Sequence, residues 1–462
     1  MPNTLAYIAL FSWPIFVYYI LKRNPNNIGI FISITTAFLL LPANFAVDPP
    51  LLPPLDKSSI SSISLIFCLF FLNIKFKLFH SGSIVYIFIF YLIAIITSVL
   101  SNSDAVVIGG KFLPGLTLYD ALSEVIRTVI WVVPFLLGRY FFSDIKDNEK
   151  IFKILVIFAL FYSIPMLYEI KMSPQFHYKV YGYDASDFIQ SMRGDGFRAS
   201  VFVGHGLPLA FLISIATLAA MALHKNKTKI LKYSALTATL FLILILMLSK
   251  TWSALFYVML GAVFIYLLSP SKQVKFAFIL ASMILLYPVS KIVGVFPDRE
   301  IIQTVSEYNV ERADSMKTRY INEEQLLTHA LERPLFGWSG FGRNRLYDSF
   351  GSDITITDGM WILQMSVNGT FGFLLYYIFL LTPMYYATKN IKYIDNPKER
   401  VYFSLLSLML AICIIDSVPN TGMGIINWLL AGALMGQSEY LKKQSIQKIK
   451  EKISQSWLKK TS

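Results

Sequence analysis

The sequence predicts an all-α, polytopic membrane protein of about 12–14 transmembrane helices carrying one large polar loop. Three observations predict it. Of its 462 residues, 55% are hydrophobic and only 15% charged, with a mean hydropathy of +0.57, which excludes a soluble domain of ordinary surface chemistry. Apolar runs recur at the length needed to cross a hydrocarbon core of about 30 Å, and no alternating barrel pattern competes with them. Finally, a stretch of roughly 60 residues, from about Phe296 to Asp358, is charged and punctuated by glycine, and a loop of that length more often acts than connects.

In chain order, apolar runs begin near Leu5, Ile28, Ile60, Ile84, Leu122, Ile151, Leu207, Ala235, Leu255, Phe276, Phe371, Val401 and Ile425, about 13 spans in all. The first is followed by Lys22 and Arg23 and lacks a small-residue cleavage site, so it reads as a retained helix. If the chain alternates, Lys22 and Arg23, Lys75 and Lys77, Lys146 and Lys150, Lys225 to Lys232, Lys272 and Lys275, and Lys389 to Arg400 share one face. The bias of basic residues makes that face cytoplasmic. Lys442, Lys443, Lys448, Lys450, Lys452, Lys459 and Lys460 extend it, so residues 1–440 read as the membrane domain and 441–462 as a basic tail drawn to anionic membrane lipid. The net charge of +13 is thereby assigned to topology, and no nucleic-acid partner is expected. The opposite face receives the turn Asp48 to Pro54, the loop around Lys111, and two long segments, 171–206 and 296–358.

Candidate functional residues concentrate on that opposite face. Asp120, Glu124 and Arg127 stand at i, i+4 and i+7 of one helix, as an internal ion pair or as the lining of a wet cavity. Arg193, Arg198 and His205 sit just before a span, at the boundary where anchoring arginines are uncommon, which favours anion binding. Lys250 interrupts the apolar stretch from Ala235 to Leu268 and forces a tight turn, either as a second phosphate ligand or as a snorkelling lysine. In the large segment an amphipathic helix is expected from Glu311 to Glu332, with Met316, Tyr320, Leu327 and Leu331 on an apolar stripe along the membrane surface and Arg312, Lys317 and Arg319 pointing elsewhere. Gly337, Gly340 and Gly342, with Arg343 and Arg345 after them, permit close backbone approach to a phosphate. Asp358, immediately before the next helix, reads as an N-cap or as a general base. Cys68 and Cys413 lie in apolar runs, and His177, His205 and His329 are too dispersed for a metal-ligand pattern, so neither metal nor cofactor is expected. Without a Walker A loop, a dinucleotide fingerprint or a GxSxG elbow, energy must come with the substrate or from a gradient.

The order of three elements resembles the O-antigen ligase and polymerase superfamily. They are an arginine-bearing segment leading into Gly204-His205-Gly206-Leu207, the turn Leu248-Ser249-Lys250-Thr251-Trp252-Ser253, and the run Leu331-Glu332-Arg333-Pro334-Leu335-Phe336-Gly337-Trp338-Ser339-Gly340-Phe341-Gly342. The resemblance covers roughly residues 118–372, including Leu136-Leu137-Gly138-Arg139. It implies a GT-C-like glycosyltransferase of the bacterial inner membrane, active on its periplasmic face without metal or nucleotide. Such an enzyme takes an oligosaccharide on undecaprenyl diphosphate as donor. Arg193 and Arg198 match the family's anionic-substrate arginines, Lys250 stands where an arginine is usual, and Arg343 and Arg345 match only by following the glycine run. Ligases of the family carry a histidine where this chain has Thr357-Asp358-Gly359, so the resemblance is to the exopolysaccharide and O-antigen polymerase branch, with Arg198 and Asp358 as catalytic candidates. Tyr181, Tyr183, Trp338 and Trp361 are expected to stack on sugars or to belong to ordinary aromatic belts. A flippase and a chain-length regulator are implied as partners; ligation, and further off transport of glycan lipids, are the alternative activities.

Overall fold

A computed structural model describes residues 1–49, 53–80, 82–193, 196–421 and 423–461, with side chains through Glu451. Of the expectations above, part of the turn from Asp48 to Pro54, the Gly194-Asp195 step, and Lys452, Lys459 and Lys460 lie outside the described residues or side chains. The chain is 71% helix and 4% strand, so the all-α class holds.

The chain passes repeatedly between two ends of one helical bundle. It begins with α1 (Thr4–Phe11), α2 (Trp13–Arg23), α3 (Asn26–Leu40), α4 (Lys57–Phe71) and α5 (Ser83–Leu100). A hairpin of β1 (Val106–Ile108) and β2 (Lys111–Leu113) leads to α6 (Leu118–Phe141), α7 (Asn148–Met172) and the short α8 (Phe176–Tyr181). A two-rung ladder, β3 (Met192–Arg193) with β4 (Gly196–Phe197), precedes α9 (Gly206–Lys225); a second, β5 (Lys229–Ile230) with β6 (Tyr233–Ser234), precedes α10 (Ala235–Leu248). Then come α11 (Trp252–Leu267), α12 (Pro270–Ser282), α13 (Tyr287–Ile292), α14 (Asp298–Tyr308), α15 (Val310–Leu331), α16 (Met360–Asn390), α17 (Pro397–Asp416) and α18 (Ile425–Thr461).

Among the described residues six helices are long and apolar enough to cross a membrane: Thr4–Arg23, Ser83–Leu100, Leu118–Phe141, Ile145–Met172, Gly206–Lys225 and Met360–Tyr393. Four other apolar runs fold as shorter helices, Asn26–Leu40, Lys57–Phe71, Ala235–Leu248 and Trp252–Leu267. With 14 residues, α10 is about 21 Å long at 1.5 Å per residue, less than the roughly 30 Å of a bilayer core. Hydropathy counts apolar residues, whereas turns decide how many of them become one helix.

Polar contacts define the two ends. At one, the Arg139 guanidinium is fully buried and bidentate to Glu439, at 2.9 and 2.7 Å, and Asn148 and Gln437 exchange hydrogen bonds at 2.9 and 2.6 Å. The helices carrying them approach closely because α18 offers Gly432 and Gly436. A Cβ at either would stand 2.0 or 2.2 Å from a carbonyl oxygen of α6, the small-residue packing used where lipid gives helices no hydrophobic reason to associate.

The other end gathers the long loops into a crown. Its largest part is a helical hairpin, α14–α15, joined through Asn309, which caps α15 by accepting from the Arg312 N–H at 3.0 Å. One face of α15 packs against α14 and α16, burying Ala313, Glu323, Leu326, Leu327, His329 and Ala330. Leu331, assigned to the apolar stripe, is 41% exposed. The buried Glu323 carboxylate explains the rotation: it accepts from Tyr287 Oη at 3.1 Å and Trp361 Nε1 at 3.3 Å, pinning α15 to both neighbours.

The glycine run is fastened to a break in α16. Gly369 has φ of +65°, and a Cβ there would sit 2.3 Å from the Leu335 carbonyl oxygen. Trp338 and Ser339 donate their N–H groups to Ser366 and Val367 across this break, each at 2.8 Å. Gly337 therefore serves backbone packing, a Cβ there standing 2.5 Å from the Gly369 nitrogen, and the Trp338 and Ser339 amides are already engaged.

Candidate functional site

Beneath the crown lies a cavity of about 570 Å³. Three parts of the chain meet there. The loop entering α9 brings Arg193, Arg198 and His205; α15 brings Arg319; and the end of α17, the turn after it and the start of α18 bring Asp416, Asn420 and Asn427. Asp358 adds to the polar lining, as do Gln190, Ser315, Thr318 and Thr421, while Phe38, Leu207, Pro208, Phe211 and Ile426 make an apolar side. The start of α16 closes on the end of α17 because the Met360 N–H donates to the Ser417 and Asn420 carbonyls at 2.9 and 3.1 Å. Gly359 permits this, since a Cβ there would be 2.3 Å from the Val418 carbonyl oxygen.

Arg198 is the unusual group. It is 7% exposed, its Nε is buried without a partner, and its guanidinium has neither hydrogen bond nor ion pair among the described residues. Burial, then Arg193, Arg319 and Arg312, push its pKa down to about 10, so it remains a cation at neutral pH. Burial and Arg319 also lower the Arg193 pKa, which Glu311 partly offsets. A buried unpaired guanidinium is expensive, and with the partly buried Arg193 and Arg319 converging on the same cavity it calls for an anion. Gly206 leaves room for the Arg198 stem, because a Cβ there would meet Cγ and Cδ at 2.2 Å.

His205 caps α9, its Nδ1 accepting from the Leu207 N–H at 3.2 Å. The proton of the neutral ring therefore sits on Nε2, making His205 a donor. Burial first, then Arg198, Arg193 and Arg319, push its pKa down to about 4 from 6.5. Between those values an unfolded chain binds a proton that the folded one refuses, so stability falls as pH falls through this window. His205→Asn keeps a capping acceptor without titrating. From pH 7 to pH 4 the wild type should lose more thermal stability than this variant, read as unfolding temperature in detergent; parallel curves would remove His205 from the acid response.

The two carboxylates differ. Asp358 is not the helix cap, a position held by Gly359; its Oδ2 lies 3.4 Å from Arg319 Nε, with its side chain 40% exposed. Arg319 also donates to the Pro419 carbonyl at 2.8 Å, tying α15 to the α17–α18 turn. Asp416 accepts at Oδ1 from Tyr257 Oη at 2.9 Å and from Asn420 Nδ2 at 2.8 Å.

Thus Arg193, Arg198, His205 and Asp358 come together, and the other sequence candidates lie elsewhere. Lys250 Nζ donates to the Arg193 carbonyl at 2.9 Å and does not line the cavity. Arg343, 1% exposed, binds the Asp104 and Pro114 carbonyls at 2.9 and 3.0 Å and pairs with the Asp104 carboxylate. Arg345 pairs with Asp353 at 2.6 Å. Glu124 pairs with Arg127 along α6, away from the cavity, and Asp120 belongs to the α6 capping box. Of the four aromatic candidates, Tyr181, Trp338 and Trp361 are buried and Tyr183 is partly buried. Tyr181 and Tyr183 donate to the Leu40 and Ala43 carbonyls, both at 2.5 Å; Trp338 donates to the His329 carbonyl at 2.7 Å, and Trp361 is fully enclosed.

Sequence reasoning missed Arg319 and Asp416. Each had a signal. Arg312, Ser315 and Arg319 share one helix face by spacing, and Asp416 is a lone acid closing the apolar run of α17.

The fold and cavity define a helical protein compatible with a multi-pass membrane topology, bearing a cationic chamber at one end. Neither a family model nor a curated protein matches the chain.

Proposed function

We propose that the protein polymerises oligosaccharide repeats carried on undecaprenyl diphosphate, at the periplasmic face of a bacterial inner membrane. The observation that carries this reading is the Arg198 guanidinium, unpartnered among the described residues and flanked by Arg193 and Arg319 in a chamber with an apolar side. That combination suits an amphiphile with a multiply charged head. The family resemblance supplies the glycan, and Thr357-Asp358-Gly359 favours the polymerase branch over the ligases.

In this mechanism a sugar hydroxyl of one repeat attacks the anomeric carbon of another chain. The bond from that carbon to the diphosphate oxygen breaks, its electron pair leaves with the diphosphate, and the hydroxyl proton passes to Asp358. Arg198, Arg193 and Arg319 stabilise the charge developing on the leaving group, and the His205 Nε2–H adds a neutral donor. Asp358 Oδ2 lies 3.4 Å from Arg319 Nε. The apolar side takes the first isoprene units. The topology proposed is a GT-C-like one of 12–14 passes, about 13 on hydropathy, with the crown periplasmic and the lysine tail cytoplasmic; a flippase would deliver the repeats and a chain-length regulator would set product size.

The test is a deletion strain whose carrier-linked glycans are extracted and sized. Single repeats on the carrier are expected. Long polymer left on the carrier would mean a ligase, and repeats that never reach the periplasm would mean transport.

A further inference from the structure

The loop that carries Arg193, Arg198 and His205 faces a physical difficulty. Two guanidiniums on one short segment repel each other, and no carboxylate pairs with either among the described residues. Left to itself such a loop would spread its cations into solvent.

Behind it stands Glu169, in the last turns of α7. It is fully buried, yet it makes no ion pair among the described residues, and its carboxylate is occupied by main chain alone. Oε1 accepts from the N–H groups of Gln175 and Phe176 at 3.1 and 3.0 Å. Oε2 accepts from those of Ser200 and Val201 at 3.0 and 2.8 Å. The next N–H, of Phe202, goes to Tyr162 Oη two turns earlier on α7, at 3.1 Å. Three successive amides that follow Arg198-Ala199 are thus fastened to one helix, with Val201 held at φ of +47°, which a β-branched residue adopts only under constraint. From the other side Lys250, itself at φ of +52°, donates Nζ to the Arg193 carbonyl at 2.9 Å and packs near Gly196.

We infer that Glu169 and Lys250 are positioning residues, two clasps of opposite charge that hold the arginine loop in its anion-binding form: Glu169 takes the amides after Arg198, and Lys250 takes the carbonyl of Arg193. The inference rests on the reading of that loop as an anion site. It explains why an acid buried without a counter-cation is kept so close to the cavity, and it assigns Lys250 to the loop rather than to the phosphate. Charge-assisted bonds suit the purpose, since they outlast the neutral ones they replace while the loop exchanges ligands.

The test uses the full-length protein in detergent, with farnesyl diphosphate as the anionic probe and deuterium exchange of the 173–206 peptides as the structural readout. In ligand-free protein, Glu169→Gln should speed exchange at residues 175–176 and 200–202 and weaken probe binding at least tenfold; Lys250→Met should speed exchange around Arg193 and weaken binding likewise. Lys250→Arg, which can still donate to the carbonyl, should restore both. Weaker binding with unchanged exchange would make Lys250 a direct ligand and overturn its half; unchanged binding in Glu169→Gln despite faster exchange would overturn the other. Should Glu169→Gln fail to fold, the Lys250 pair still decides. Arg198→Ala is the control on the underlying reading: if it binds the probe as wild type does, the anion site itself is wrong, whatever the exchange data show.

Discussion

Arg198→Met is expected to abolish polymer while leaving the protein at least as stable as the wild type. Removing one preorganised donor from a site of developing charge costs about 10²- to 10³-fold in turnover, enough to leave only single repeats on a gel. The same change removes a cation that is 7% exposed and has no partner among the described residues, so the folded state is relieved of a desolvation cost. Loss of function with a raised or unchanged unfolding temperature is the signature of a group kept for its ligand. Were Arg198 structural, stability and activity would fall together. Polymer sizing and thermal unfolding in detergent decide between these, and full polymer from Arg198→Met would sink the mechanism.

The second large effect concerns the proton. Asp358→Asn should lower polymer output by about 10²- to 10⁴-fold, the usual contribution of a general base. Asp416→Asn should cost much less, because an asparagine Oδ1 can still accept from Tyr257 and Asn420 as the Asp416 Oδ1 does. Both variants keep the size of the side chain, so neither should unfold the crown. If the order is reversed, the base is Asp416, and Asp358 serves only to orient Arg319 across their 3.4 Å contact. Complementation of the deletion strain by each variant, with polymer quantified against expressed protein, gives the ranking.

How much of this was legible beforehand varies with the kind of residue. The arginines of 193–198 and His205 were visible because basic groups are uncommon on the lysine-poor face, and they do line the cavity. Arg343 and Arg345 carried an equally basic signal, yet they close on Asp104 and Asp353, partners far off in sequence or unremarkable within it. Arg319 was assigned outward because the apolar residues of its helix suggested a stripe, and the stripe rotated once Glu323 became a buried acceptor for Tyr287 and Trp361. The aromatic candidates failed for a related reason: a tyrosine hydroxyl that finds a buried carbonyl, as Tyr181 does at Leu40, is no longer available to a sugar.

By itself the sequence determined the helical class and pointed to the arginine segment as the place to look, because hydropathy and charge act on each residue where it stands. Only the tertiary structure decided which cations are left unpaired. Pairing depends on distance between elements remote in the chain, and in this fold Asp104 satisfies Arg343 while no carboxylate among the described residues reaches Arg198.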